Sequence, residues 1–306
     1  MSLVALLKPK GPSGFGYGST AEDVTEGLDL SGKNILVTGV NSGLGAETLR
    51  VLALRGARVL GCARDETKAS AACAPYGADA TPFACDLGEP ASIRACVDAV
   101  RADGAQLDAI LCNAGIMALP KRELLFGVER QLFTNHIGHF MLVTGLLDQL
   151  RDDARVVMTS SGAHMAAPKG GINFDDLSFE RKYSAWAAYG QSKFANLLFA
   201  KELARRFAGS SRTANAVHPG VIYTNLGRHM HPAANVFYAL SKPLFLKSIP
   251  QGAATQCYVA THPQVADISG EYFADCNVAK PRRDASDPET ARRLWEASEA
   301  IVAGLP

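Results

Sequence analysis

Asn34-Ile35-Leu36-Val37-Thr38-Gly39-Val40-Asn41-Ser42-Gly43-Leu44-Gly45 is the stretch on which the reading of this chain turns. A short apolar run rich in branched residues enters a glycine-rich turn, and a helical pattern carrying Leu49, Leu52 and Ala53 follows. Glycines let a backbone come close to a pyrophosphate, and a helix N-terminus offers free N–H groups and partial positive charge. The spacing is Gly-x₃-Gly-x-Gly rather than Gly-x-Gly-x₂-Gly. Three glycines alone say little. Three glycines directly after a strand and before a helix point to Gly39, Asn41, Ser42, Gly43, Leu44 and Gly45 as a phosphate cradle. A tight turn without a ligand is the plainer alternative.

The same alternation continues on both sides. Strands are expected over 34–38, 58–63, 81–86, 107–113, 155–160, 213–218 and 271–274, and helices over 44–55, 66–74, 91–102, 124–150, 185–208 and 250–261. Residues 287–303 add an amphipathic tail helix. Continuous apolar strands mean a sheet covered on both faces. Strands separated by helices mean right-handed crossovers and parallel pairing. The expected fold is α/β: a single-domain, doubly wound (Rossmann) parallel sheet of about seven strands with helices on both faces. Residues 1–29 are an N-terminal lead-in, with the Gly/Ser-rich part over 11–20 extended or mobile, and residues 30–306 form the domain.

Bulk properties narrow the function. The 306 residues are 47% hydrophobic and 20% charged, with a net charge of +1. That is the balance of a globular protein with a sizeable core, and it gives no reason to expect a nucleic-acid partner. The apolar start breaks off at Lys8, far short of the roughly 20 residues of a membrane helix, so no transmembrane segment or signal peptide is expected. Seven scattered cysteines form no Cys-x-x-Cys pair, which fits a reducing, cytoplasmic setting.

Several strand ends carry candidate binding residues. Arg64 lies where an acidic residue would hold a ribose 2′-hydroxyl; Ala63 occupies the strand end itself. Pairing of Arg64 with a 2′-phosphate argues for NADP(H) over NAD(H), against a merely solvated arginine. Asp86 and Leu87 close the third strand, where a carboxylate can accept from adenine or cap the next helix. Asn113-Ala114-Gly115 leaves room for a cofactor beside the backbone, or forms a plain turn. His218-Pro219-Gly220-Val221 and Thr224 follow the sixth strand, placed to hold a nicotinamide carboxamide or the pyrophosphate.

Tyr189 and Lys193 stand at i and i+4 in Tyr189-Gly190-Gln191-Ser192-Lys193, on one helical face. An ammonium so placed favours phenolate and lowers a tyrosine pKa, which suits proton transfer to and from an alcohol or carbonyl. Ser160-Ser161 lies upstream. His136 and His139 share a helical face, but no third ligand is near and no metal is expected. His164 either touches substrate or is exposed. The apolar, aromatic segment from Val236 to Leu246, within about 222–249, reads as a substrate lid, which favours a small hydrophobic carbonyl or alcohol.

Thr38-Gly39-x₃-Gly43-x-Gly45, Asn113-Ala114-Gly115, Asn135, Ser161, Tyr189-x₃-Lys193 and Pro219-Gly220, in this order, resemble the short-chain dehydrogenase/reductase family over nearly all of 30–280. Residues 134–140 and 224–229 look like its retinol-dehydrogenase-like branch. The lead-in Gly18-Ser19-Thr20-Ala21-Glu22-Asp23-Val24 is similar to that of the WW-domain oxidoreductases. The chain shows neither a WW domain nor the membrane helix of microsomal retinol dehydrogenases, so the resemblance does not carry over retinoid as substrate. It implies Tyr189 as general acid, Lys193 as the group that lowers its pKa and binds the nicotinamide ribose, and Ser161, rather than Ser160, as donor to the carbonyl oxygen. It implies Asn135 as holder of a water linking Lys193 to solvent. It also implies a homodimer or homotetramer. Each of these residues has a structural alternative: Ser161 as a loop cap, Asn135 satisfying backbone, Lys193 as an exposed partner. Two other readings stay open, a regulatory or scaffold protein that binds NADP without turnover, and a reductase of C=C bonds.

Overall fold

The computed structural model describes residue 4 and residues 7–222 and 246–306. The chain opens the expected alternation with β1 (Asn34–Thr38), α1 (Gly43–Leu54), β2 (Arg58–Ala63), α2 (Glu66–Cys73), β3 (Ala80–Ala84), α3 (Pro90–Asp103) and β4 (Leu107–Cys112). A hairpin of β5 (Leu124–Leu125) and β6 (Val128–Glu129) leads into α4, built of an α segment Arg130–Leu132, a π segment Phe133–Ile137 and an α segment Gly138–Gly145. Then come β7 (Leu150–Thr159), α5 (Ala185–Arg206), β8 (Thr213–His218), α6 (Ile249–Thr261), β9 (Tyr272–Ala274), β10 (Asn277–Val278) and α7 (Pro288–Ala303).

Among the described residues the main sheet has eight strands in the order β3-β2-β1-β4-β7-β8-β9-β10. The seven expected strands are all present and run parallel; β10 adds a short antiparallel edge to β9. Strand alternation divides the core into two layers. Leu36, Leu60, Ile110, Val156 and Ala216 face the layer built by α3, α4, α5 and α7. Val37, Val59, Leu111, Val157 and Val217 face the layer built by α1 and α6. The chain passes from the edge at β3 back across to β4, so the strand order reverses between β1 and β4. In open α/β sheets that reversal opens a crevice at the carboxyl ends of the strands.

One expectation needs correction. Residues 124–150 are not one helix. The Phe126-Gly127 corner, both with positive φ, turns the chain through the hairpin before the helix begins. Glu129 then caps the helix start, accepting from the backbone of Gln131 and Leu132. The helix itself widens by one residue per turn at Asn135. The lead-in, expected to be extended or mobile, runs through turns and a short 3-10 segment, Asp23–Thr25, and is held against the sheet edge. Asn277 clamps it, accepting from Ser13 N at 3.0 Å and donating from Nδ2 to Phe15 O at 3.1 Å. The Phe15 ring meets Tyr258 and His262 edge-on, each at 5.6 Å. Ala21 and Val24 are buried in the α1/α6 layer, and Gln251 Nε2 donates to Gly18 O.

Because Asn277 supplies both hydrogen bonds, Asn277→Ala should release the lead-in while the sheet stays folded. Limited trypsin digestion reads this at the Lys10–Gly11 bond. Cleavage of the variant is expected to be about tenfold faster than in the unaltered protein, since proteolysis follows the population of the opened segment. Unchanged cleavage would mean that Asn277 is not what pins the segment.

Candidate active site

At the carboxyl ends of the strands, where the order reverses, lies a cavity of ≈ 680 Å³. One end is the glycine turn between β1 and α1. Gly39 and Gly43 have φ of +78° and +57°, a conformation glycine adopts without strain. The packing is tighter still at Gly45, where a Cβ would lie 2.1 Å from the Gly39 carbonyl oxygen. No side chain caps the start of α1. The N–H groups at this helix start are thus left without a side-chain cap, and a pyrophosphate is the group such a turn fits. Thr38 braces this turn from below. Its Oγ1 accepts from the backbone N–H groups of Asn113 at 2.9 Å and Ala114 at 3.0 Å, while Asn113 Nδ2 donates to Thr38 O at 2.8 Å. The turn and the end of β4 are thus one unit.

Beyond the turn, the cavity reaches Ala63, Arg64, Asp86 and Leu87. The Arg64 side chain is 57% exposed and lies 3.8 Å from the Asp86 carboxylate, an arm with room to turn toward a ligand. Lys68 lines the same end and pairs with Asp65. It escaped the sequence reading because it sits on the first turn of α2, where a lysine is ordinary; only the fold turns it to the cavity.

At the other end Ser161, Tyr189 and Lys193 line the cavity together with Gly115 and the Pro219-Gly220-Val221 turn. Ser161 lies within hydrogen-bonding reach of the Tyr189 phenol. Its Oγ also accepts from Ala163 N at 3.1 Å, so the capping role and the cavity position coexist. Ser160 is turned away, donating to Lys193 O at 2.7 Å. Lys193 donates from Nζ to Thr159 O at 2.9 Å, and its ammonium lies 5.9 Å from the Tyr189 ring centre. Both groups are buried. Burial pushes the Tyr189 phenol up to about 12, with Ser161 pulling weakly the other way, and brings the Lys193 ammonium down to about 8. Without a ligand, desolvation therefore outweighs the lysine field that was expected to lower the tyrosine.

Asn135 sits in the π segment of α4, a feature that recurs at functional sites. Its side chain is fully engaged: Oδ1 accepts from Ile116 N at 2.8 Å, and Nδ2 donates to Ile116 O and to Ser192 Oγ, each at 2.9 Å. Its carbonyl accepts from His139 Nδ1 at 2.9 Å. The other ring nitrogen of His139 bonds Thr38 Oγ1 at 2.9 Å. Burial holds His139 neutral, down to about 4. Both of its nitrogens are thus occupied by the fold, and His136 bonds Ser298 Oγ through Nε2 alone. His164 is neither exposed nor at the cavity; it is buried, bonded to Ser161 O and Arg282 N, and holds the loop behind Ser161.

Apolar walls close this end: Ile116, Met117, Ala163, Ala166, Trp186 and Ile222. Trp186 stands edge-on to Tyr189, ring centres 6.2 Å apart. Thr224 and most of the expected lid, residues 223–245, lie outside the described residues. Among the described residues no helix is long and apolar enough to cross a membrane.

Residues 33–175 match the family model described as short chain dehydrogenase. Short-chain dehydrogenase TIC 32 A, chloroplastic, of Brassica napus is 42% identical over 97% of this chain and 97% of its own length. Retinol dehydrogenase 14 of Homo sapiens is 37% identical over 89% of this chain and 87% of its own. A crystal structure of a protein from Mycobacterium Paratuberculosis superposes with a TM-score of 0.75 at 35% identity, covering 92% of this chain and 97% of that one. Fold, site and relatives agree: the chain belongs to the short-chain dehydrogenase/reductase family of oxidoreductases, in its retinol-dehydrogenase-like branch.

Proposed function

We propose that this protein is an NADP(H)-dependent oxidoreductase that interconverts a carbonyl and an alcohol on an apolar or aromatic small molecule. The observation that carries the reading is the meeting of Tyr189, Lys193 and Ser161 in the lining of a cavity whose far end is the glycine turn. The residues fit a dinucleotide along their length. Gly39, Asn41, Ser42, Gly43, Leu44 and Gly45 would hold the pyrophosphate; Asp86 and Leu87 the adenine; Asn113, Ala114 and Gly115 the middle; Pro219, Gly220 and Val221, with Thr224, the carboxamide. Arg64 and Lys68 are two cations at the adenine end, which favours a 2′-phosphate and therefore NADP(H) over NAD(H). When bound, that cofactor supplies the hydride.

The protein supplies the rest. A phenol held near 12 carries its proton at neutral pH, the form needed to donate to a carbonyl oxygen. Ser161 donates to the same oxygen and polarises the bond. Lys193 then steadies the phenolate left behind. The buried amide of Asn135 holds the Ile116 backbone beside this centre, and Asn135 would hold a water on the path to Lys193. Ile116, Met117, Trp186 and Ile222 give the substrate an apolar bed. Seven free, buried cysteines fit a reducing setting such as the cytoplasm. A homodimer or homotetramer remains our expectation for the assembly.

NADPH consumption with a panel of aromatic aldehydes and ketones, with product analysis, tests the reading. Binding of NADPH with no carbonyl reduced would turn the protein into a nucleotide-binding regulator. Tyr189→Phe should lower kcat by about a thousandfold, within the range for a lost general acid, while NADPH affinity changes by less than about threefold. Substantial residual turnover in that variant would remove Tyr189 as the proton donor. Arg64→Ala should weaken NADPH at least about tenfold more than NADH, and equal losses by fluorescence titration would end the phosphate assignment. The pH profile follows from Lys193. Its ammonium is retained below about 8 and lost as pH rises through that value. For reduction, kcat/KM, which reports the free enzyme, should be level below that point and fall above it. A profile that rises there would contradict a role for the charged lysine.

A further inference from the structure

The turn after β8 is braced from outside the cavity. Gly220, at φ +95°, is packed against Lys247: a Cβ there would stand 2.6 Å from Lys247 Cδ. Lys247 N donates to Val221 O at 3.0 Å, and Ile222 and Lys247 form a parallel bridge. The Lys247 side chain is 1% exposed, and its ammonium lies 2.7 Å from Asp275. A lysine is rarely buried this fully unless it is paired.

Asp275 is itself held in an uncommon place. It and Cys276 form the two-residue turn between β9 and β10, with φ of +52° and +62°. A tight hairpin turn with two left-handed residues ordinarily takes glycine or asparagine there. A strained position of this kind persists only when its surroundings fix it. Here they do: Cys276 N donates to Thr255 Oγ1 at 3.2 Å, and Asn277 Nδ2 donates to Asp275 O at 2.7 Å. The second carboxylate oxygen of Asp275 takes Lys8 of the lead-in at 2.5 Å. The ammonium groups of Lys247 and Lys8 lie 4.8 and 5.3 Å from the centre of the Tyr17 ring. Lead-in, edge hairpin and cofactor turn therefore meet at one carboxylate.

We infer that Lys247 and Asp275 are positioning residues for the nicotinamide end of the cofactor, setting the Pro219-Gly220-Val221 turn, and that Lys8 and Tyr17 make the lead-in part of the same device. The inference rests on the reading of the cavity as an NADP(H) site. It explains why a lead-in is clamped to the sheet edge far from the glycine turn: it completes the charge pairing behind the opposite end of the cavity. A buried pair of this sort fixes geometry more than it adds stability.

The test separates positioning from plain destabilisation. Lys247→Met keeps the stem beside Gly220 and removes the charge; Asp275→Asn keeps the shape and removes the carboxylate charge. Each full-length variant is titrated by calorimetry with NADPH and with adenosine 2′,5′-bisphosphate, which has no nicotinamide. Either variant should lose about tenfold in affinity for NADPH, while affinity for the bisphosphate stays within about twofold. The double variant should lose no more than the weaker-binding single one, because both act through one pair. Equal losses for both ligands, as partial unfolding would give, overturn the inference, and so does unchanged NADPH binding. If the unaltered protein binds no NADPH, the cofactor assignment itself falls and takes this inference with it.

Discussion

A lysine side chain sits 3% exposed at the centre of this protein, and among the described residues it makes no ion pair. Desolvating a charge without a counter-charge is expensive, which is why the Lys193 ammonium drops to about 8. The surrounding fold answers with oriented oxygen. Thr159 O, at the end of β7, takes the ammonium at 2.9 Å and the Asn196 amide at 3.0 Å. Ser160 Oγ donates back to Lys193 O. Helix α5 is stitched to β7 at the level of the cavity. The geometry of the reacting end thus follows from where a long helix, buried along its middle from Ala188 to Ala200, meets the end of a central strand. A site made this way is rigid, and rigidity is what lets fixed dipoles act on a developing charge.

The second constraint joins the two ends of the cavity. Backbone N–H groups of Asn113 and Ala114 point to Thr38 Oγ1, Thr38 Oγ1 to His139, and His139 to the Asn135 carbonyl. The donors run in one direction if His139 carries its proton on Nδ1, which its neutral, buried state permits. Asn135 lies in the π segment of α4, so this chain of contacts ends at the irregular part of that helix. His136 and His139, which look like half of a metal site in the sequence, are better understood as polar fasteners in a packed helix.

What was legible beforehand divides along physical lines. Strands 34–38, 58–63 and 213–218 emerge with their expected bounds; the first is a continuous apolar run stopped by Gly39, and the last stops at Pro219-Gly220. Both crossover direction and the place of the crevice follow from strand–helix alternation. Helix 124–150 was not legible: its apolar content suits a helix or a hairpin equally, and periodicity cannot show a π turn. Gly39, Gly43 and Gly45 could be recognised because they act locally. Lys68 and Lys247 could not, since each matters through partners distant in the chain. The pKa of Tyr189 was expected to fall from its neighbour's charge alone; burial, a property of the whole fold, reversed the direction.

The lead-in carries the same lesson further. Its glycines and serines read as slack chain, yet the sheet edge needs it. Strands β9 and β10 span three and two residues, and an edge so short presents few ladder bonds of its own. Asn277 on β10 gives its amide to the lead-in backbone, Phe15 fills the space beside Tyr258 and His262, and Ala21 donates to Pro250 O near the start of α6. Such contacts tie the lead-in to β10 and to α6. They also place Lys8 and Tyr17 beside Asp275, behind the turn that closes the cavity. A segment bound at the edge of the sheet thus also reaches the charge pair behind the site, and Asn277 and Asp275 bring both contacts to the same hairpin.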